Sequence, residues 1–329
     1  MNQGLFSPEE VSTMIQKGDC LLLAGDHDLL SQLPKGNWIA GTTPYFMLFP
    51  EQRVNSYDKI FVSQLPDYIS QTDIRVYDEN TIGNIFNDAP ENGFTILFIP
   101  FASLIYEDYA LNATNYQNFA KKPVCGWICG RQLETIYEKS YAVSGADAVS
   151  FYDKAVAMHV TLPESKYAEI QIFNPYIQGK GDSIRFDYDG MLLTDALING
   201  EKRNLAEYLR EIKYDPTIPF VADYAGAMMN LTCCGFDETK TLMSAPVFKS
   251  VEYKLASIDP SIEEPELVDD RIVFSFTCIG NFLKQDICSQ YLKKMNGPVV
   301  FGEIAYQLVN QTTVYVTVGD VSPDKYVEL

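Results

Sequence analysis

Apolar and polar positions alternate through Arg271–Thr277, and Ile272, Val273, Phe274 and Phe276 are β-formers, which predicts a half-buried strand. The strand should turn at Cys278-Ile279-Gly280, with Asn281 as the N-cap of a helix. Phe282, Leu283, Ile287, Tyr291 and Leu292 give that helix one apolar stripe. Lys293 and Lys294 suit its last turn, and Asn296-Gly297-Pro298 ends it. Pro298–Phe301 then starts another strand, which runs into Gly302 and Glu303.

The rest of the chain reads as strands with occasional helices. Ser7-Pro8-Glu9-Glu10 is a helix start, with Val11, Met14 and Ile15 as the apolar face. Strands are predicted at Cys20–Ala24, Trp38–Ala40, Lys59–Gln64, Asp73–Tyr77 and Gly93–Phe101, and helices at Ser103–Phe119 and Asn204–Lys213. Gly41-Thr42-Thr43 and the segment Val124–Arg131, with Gly126 in it, read as turns. Short turns separate the strands between Ile136 and Phe186, which favours antiparallel pairing. Asp259–Asp270, acidic and proline-bearing, reads as a surface loop. The expected fold is α+β, with two lobes of largely antiparallel or mixed sheets flanked by helices, layered α-β-β-α. The divisions are an N-terminal helical embellishment over 1–36, one lobe over 37–200 and a second over 201–329.

Composition narrows the chemistry. A net charge of −19 disfavours nucleic acid and anionic membrane as partners. The first twenty residues lack the pattern of a secretory leader, and no apolar run reaches membrane length. Seven cysteines without framework spacing fit a reducing, cytoplasmic setting. With only two histidines, His27 and His159, few metal centres or triads can be built, so neither a metal nor a cofactor is expected. No phosphate loop or dinucleotide fingerprint occurs. Cys278, at the junction of strand and helix, is placed where backbone N–H groups would favour thiolate. Glu303, an acid among apolar neighbours, ends the next strand.

FSFTCIGNF, then a helix, then PVVFGEIAYQLVNQT resembles the C-terminal signature of FIST domains. NWIAGTTPYFM and PVCGWICG are similar to turns of that family's N-terminal half, so the likeness runs from about Asn37 onward. Asn281 stands where the family often has arginine. The resemblance implies a sensory protein that binds a small molecule, amino-acid-like in kind, and works with a signalling protein partner. The expected ligand site combines Gly41, Thr42, Thr43, Gly126, Arg131, Cys278, Gly280, Asn281, Gly302 and Glu303 in a crevice between the lobes. Backbone donors would come from the glycine turns, with Arg131 countering negative charge and Glu303 positive charge. The alternative is an enzyme with Cys278 as nucleophile and Glu303 as acid or base.

Overall fold

A computed structural model describes residues 2–321 apart from 51, 70, 137, 225, 250, 264 and 266–268. The middle of the predicted acidic loop therefore lies outside the described residues. Among the described residues the strands form five sheets, mixed in direction, with few helices, which is an α+β arrangement.

Three of the sheets contain one parallel pair each, joined through a helical crossover. In the first, Leu21–Gly25 lies parallel to Trp38–Thr42, with the short helix His27–Leu30 between them in sequence. In the second, Gly93–Pro100 lies parallel to Val124–Cys129, with Leu104–Asn112 in the crossover. In the third, Ile272–Cys278 lies parallel to Gly297–Val300, across helices Ile279–Leu283 and Gln285–Tyr291. Parallel neighbours need such crossovers, because a hairpin cannot reverse the chain twice. All other strand pairs in these three sheets are antiparallel.

The second sheet is the spine of the molecule. Its strand Gly93–Pro100 is buried at every position, as an apolar run covered on both faces should be. Phe94, Ile96 and Phe98 join a core shared with the first and third sheets, whereas Leu97 and Ile99 face a second core. That second core holds Ile105, Tyr106 and Tyr109 of the helix Leu104–Asn112 and residues of the sheet around Phe220–Tyr224. In the shared core Trp127 packs tilted against Phe98, centroids 3.9 Å apart, and meets Phe276 at 5.5 Å.

This packing changes several expectations. Val124–Cys129 is a fully buried strand, not a turn. A Cβ on Gly126 would fall 1.9 Å from Leu97 O of the neighbouring parallel strand, so the glycine permits a close backbone approach. Gly41 continues the strand Trp38–Thr42, where a Cβ would strike Trp127 Nε1 at 2.3 Å. The helix predicted over Ser103–Phe119 ends as an α-helix at Asn112, and a short 3₁₀ turn, Ala113–Asn115, follows. The helix expected to start at Asn281 instead starts at Ile279 with Cys278 at its N-cap, and Lys284 breaks it in two with an extended backbone. Lys293 and Lys294 lie beyond its end.

Strands on either side of residue 200 share sheets. Glu303–Ala305 pairs with Val124–Cys129, Thr313–Asp320 pairs with Lys166–Phe173, and Gly297–Val300 pairs with Tyr45–Leu48. The C-terminal segment is thus woven into the sheets of the N-terminal half.

His159 shows what this core does to a titratable group. Its Nε2 meets Tyr77 OH at 2.8 Å and its Nδ1 meets Thr95 Oγ1 at 2.7 Å, with both ring nitrogens used. Burial, aided by the nearby Arg75 charge, lowers its pKa from 6.5 to about 4. The unfolded chain therefore takes up a proton at a higher pH than the folded one. Stability from neutral His159 is present above pH 6.5 and lost as pH falls toward 4. His159→Gln should flatten the fall in Tm between pH 6.5 and about 5 relative to the parent. Parallel Tm profiles for the two proteins would refute this.

Candidate functional site

Cys278 closes the central strand of the third sheet and caps the next helix, with φ −66° and ψ 144°. Its backbone N–H donates to Thr312 O at 3.1 Å. Thr277 Oγ1 meets Thr312 O at 3.1 Å and Thr313 Oγ1 at 2.8 Å, so the Asn310–Thr313 segment is held against this strand end. Glu303 comes from the second sheet, just after Gly302, whose φ of 144° turns the chain between sheets. Phe301 N donates to Ile128 O, and Ile128 N to Gly302 O, so this turn is hooked onto the strand Val124–Cys129. Gly130 makes room for the Phe301 ring; a Cβ there would sit 1.8 Å from Phe301 Cδ2.

Residues 278 and 303 meet as a result. Glu303 is fully buried; Oε2 accepts from Thr312 N at 3.3 Å and from Thr312 Oγ1 at 2.8 Å. Oε1 has no partner of full hydrogen-bond geometry, but the Cys278 thiol lies close enough that the two groups shift each other's ionisation. Burial raises the carboxyl pKa to about 8, against the pull of the Thr312 donors and of Cys278. The thiol moves in the same direction. Burial first, then the adjacent Glu303, hold it well above its ordinary value, and backbone N–H bonds from Gly280 and Gln311 only partly offset this. The expected thiolate is therefore corrected to a neutral thiol. A five-residue helix supplies little field, and desolvation outweighs it.

Cys278 and Gly280 open onto a cavity of about 210 Å³. Phe101, Leu133, Ile136, Ile279, Leu283 and Phe301 supply most of its wall. Pro216 and Thr217 enter from the loop before the strand Phe220–Tyr224. Thr232, Cys234 and Ser244 enter from the region of the paired strands Cys233–Phe236 and Thr241–Val247. Asn310 and Gln311 complete the lining. None of these residues carries a charge.

The polar end of the cavity is incompletely paired. Gln311 Nε2 donates to Thr232 Oγ1 at 3.1 Å and Thr217 O at 3.4 Å, while its Oε1 is buried without a donor. Asn310 Nδ2 and, one layer behind, Asn281 Oδ1 are also buried without partners. Gly280 is required here, because a Cβ would lie 2.7 Å from Gln311 Cγ. Tyr106 lies within electrostatic reach of both Cys234 and Cys278, and its hydroxyl donates to Ser244 O.

The remaining predicted site residues lie elsewhere. Thr42 Oγ1 accepts from Tyr141 N at 2.9 Å, and Thr43 Oγ1 donates to Val299 O at 2.6 Å, so both pin strands together. Gly41 and Gly126 pack against Trp127 and Leu97, Gly302 packs near Ile128 and Leu308, and Asn281 is buried inside its helix. Arg131 pairs with Glu138 at 2.9 Å. Thr217, Thr232, Cys234, Ser244, Asn310 and Gln311 were not among the predicted ligand residues. Of these, only Asn310 and Gln311 have a signal in sequence, the Asn-Gln-Thr run between two apolar strands, and a buried polar loop reads there like an exposed one. No group of three or more metal-ligating side chains is present among the described residues.

The chain belongs to a family of unknown function (DUF6976), whose model matches residues 6–319. No curated protein and no solved structure matches the chain.

Because Glu303 keeps its proton up to about pH 8 when folded and releases it near 4.5 when unfolded, its stabilising contribution is full below 4.5 and lost as pH rises through 8. Glu303→Gln, which stays neutral, should gain in Tm relative to the parent as pH rises from 4.5 to 8. A Tm difference independent of pH across this window would show that the carboxyl is not held protonated.

Proposed function

We propose that the chain is a small-molecule-binding sensory protein whose ligand occupies the cavity beside Cys278. The observation that carries this reading is the cavity's lining: apolar walls without charge, ending in buried amide groups that lack partners. Buried polar atoms without partners cost free energy, which a ligand with a matching polar end would recover. An engineered apolar cavity of about 150 Å³ holds benzene, so a space of about 210 Å³ suits a neutral ring or short chain with one polar terminus. A zwitterionic amino acid would place two charges among uncharged walls, so within this reading a neutral ligand is favoured.

The FIST-like character of the C-terminal segment belongs to the same proposal, together with a signalling protein as partner, a cytoplasmic location and a layered two-lobe arrangement. No helix among the described residues is long and apolar enough to cross a membrane. A second reading, thiol-dependent chemistry at Cys278 assisted by Glu303, is favoured by the contact between these two side chains.

Thermal-shift measurements with neutral cyclic ketones and phenols of about ten non-hydrogen atoms or fewer, against free amino acids, test the reading. Ligand at about 100 times Kd stabilises by about 2.7 kcal/mol, so the neutral compounds should raise Tm by several degrees and the amino acids should not. Cys234→Leu, which adds bulk at a position lining the cavity, should reduce the shift without lowering the unliganded Tm. A neutral-compound shift that survives this substitution undiminished would place the ligand elsewhere.

A further inference from the structure

We propose that the cavity captures neutral α,β-unsaturated carbonyl compounds covalently on Cys278, with Glu303 accepting the thiol proton. The inference rests on the reading that this cavity takes a small neutral ligand, and adds a reaction to it.

Four features of the site converge on this chemistry. The thiol faces an uncharged, mostly apolar space, which admits a neutral electrophile and discourages anionic ones. A fully buried carboxyl with one unpartnered oxygen lies beside it, and among the described residues no basic side chain pairs with that carboxyl. The backbone N–H groups of Gly280 and Gln311 lie near the sulfur and favour negative charge on it, partly offsetting burial. Thr232 Oγ1 accepts from Gln311 Nε2 and keeps its own proton for an incoming carbonyl oxygen.

Conjugate addition balances with these groups alone. The ionised fraction of Glu303, which grows as pH rises toward 8, takes the proton from Cys278 Sγ, and the sulfur electron pair forms a bond to the β-carbon. The carbon–carbon π pair moves toward the carbonyl as the enolate, and the α-carbon then receives the proton back from Glu303. The product is a thioether, nothing leaves, and no oxidant or reductant takes part. Hydrolysis or acyl transfer fits less well, since neither histidine touches this site. Disulfide formation with Cys234 would need an oxidant. In the empty cavity the thiol stays protonated, which spares it from reagents that do not lodge there.

Cyclohex-2-enone and its saturated counterpart cyclohexanone separate binding from capture. Incubated with the full chain, both should raise Tm, and only the enone should add a mass equal to one molecule, mapped by peptide analysis to Cys278. Adduct formation should saturate with enone concentration. Cys278→Ser should lose the adduct and keep the cyclohexanone shift. Glu303→Gln should keep that shift and form the adduct about tenfold more slowly or worse, as expected when a positioned proton acceptor is removed. Tm shifts with both compounds but no mass gain would overturn capture and leave binding standing. An adduct formed equally fast on Cys234 or other thiols, or undiminished in Glu303→Gln, would also overturn it. A non-saturating Cys278 adduct with no cyclohexanone shift would instead overturn the binding reading.

Discussion

The buried carboxyl of Glu303 is the constraint around which the centre of the molecule is arranged. It sits on a strand of the second sheet and accepts from the backbone and hydroxyl of Thr312, which leads into the long antiparallel strand of the third. One side chain thus ties two sheets together at the point where the chain crosses between them. Burying an ionised carboxylate without a cation is costly, so the group holds its proton well past its ordinary pKa. That choice makes the whole neighbourhood neutral. Burial likewise keeps the adjacent thiol protonated, and any charge on Glu303 would oppose a thiolate further.

The cavity follows from the same geometry. Phe301 can form its wall because Gly130 leaves space for the ring, and Gly280 can turn past Gln311 because it has no Cβ. These glycines serve close packing, and the cavity is the volume left between a crossover helix, the loop at Pro216-Thr217 and the residues around Thr232 and Ser244. Asn310 and Gln311 are buried in the connection between two apolar strands, where backbone bonds leave their amides incompletely paired. A site of this kind discriminates by charge and size: it penalises ions strongly and neutral rings hardly at all.

Membership of a family without an assigned activity leaves the chemistry to the residues themselves. Within the chain the candidate pair was legible early, since a cysteine at a strand–helix junction and a glutamate among apolar residues both stand out. Their ionisation was not legible. The dipole argument points to a thiolate only while the site is wet, and burial beneath the Asn310–Thr313 segment reverses it.

Local pattern by itself determined the capping of Pro8–Gln16, the buried run Gly93–Pro100, the helix after Asn204 and the strand–helix–strand order from Ile272 to Val300. These depend on periodicity and caps, which act over a few residues. Only the tertiary structure decided that Val124–Cys129 is a central strand, that Gly41 and Gly126 serve packing, and that Arg131 pairs with Glu138 away from the cavity. It alone decided that strands from both halves share sheets. The physical reason is that glycine reads as a turn in one dimension, while its close approaches to Leu97 and Trp127 come from partners 29 and 86 positions away in the chain.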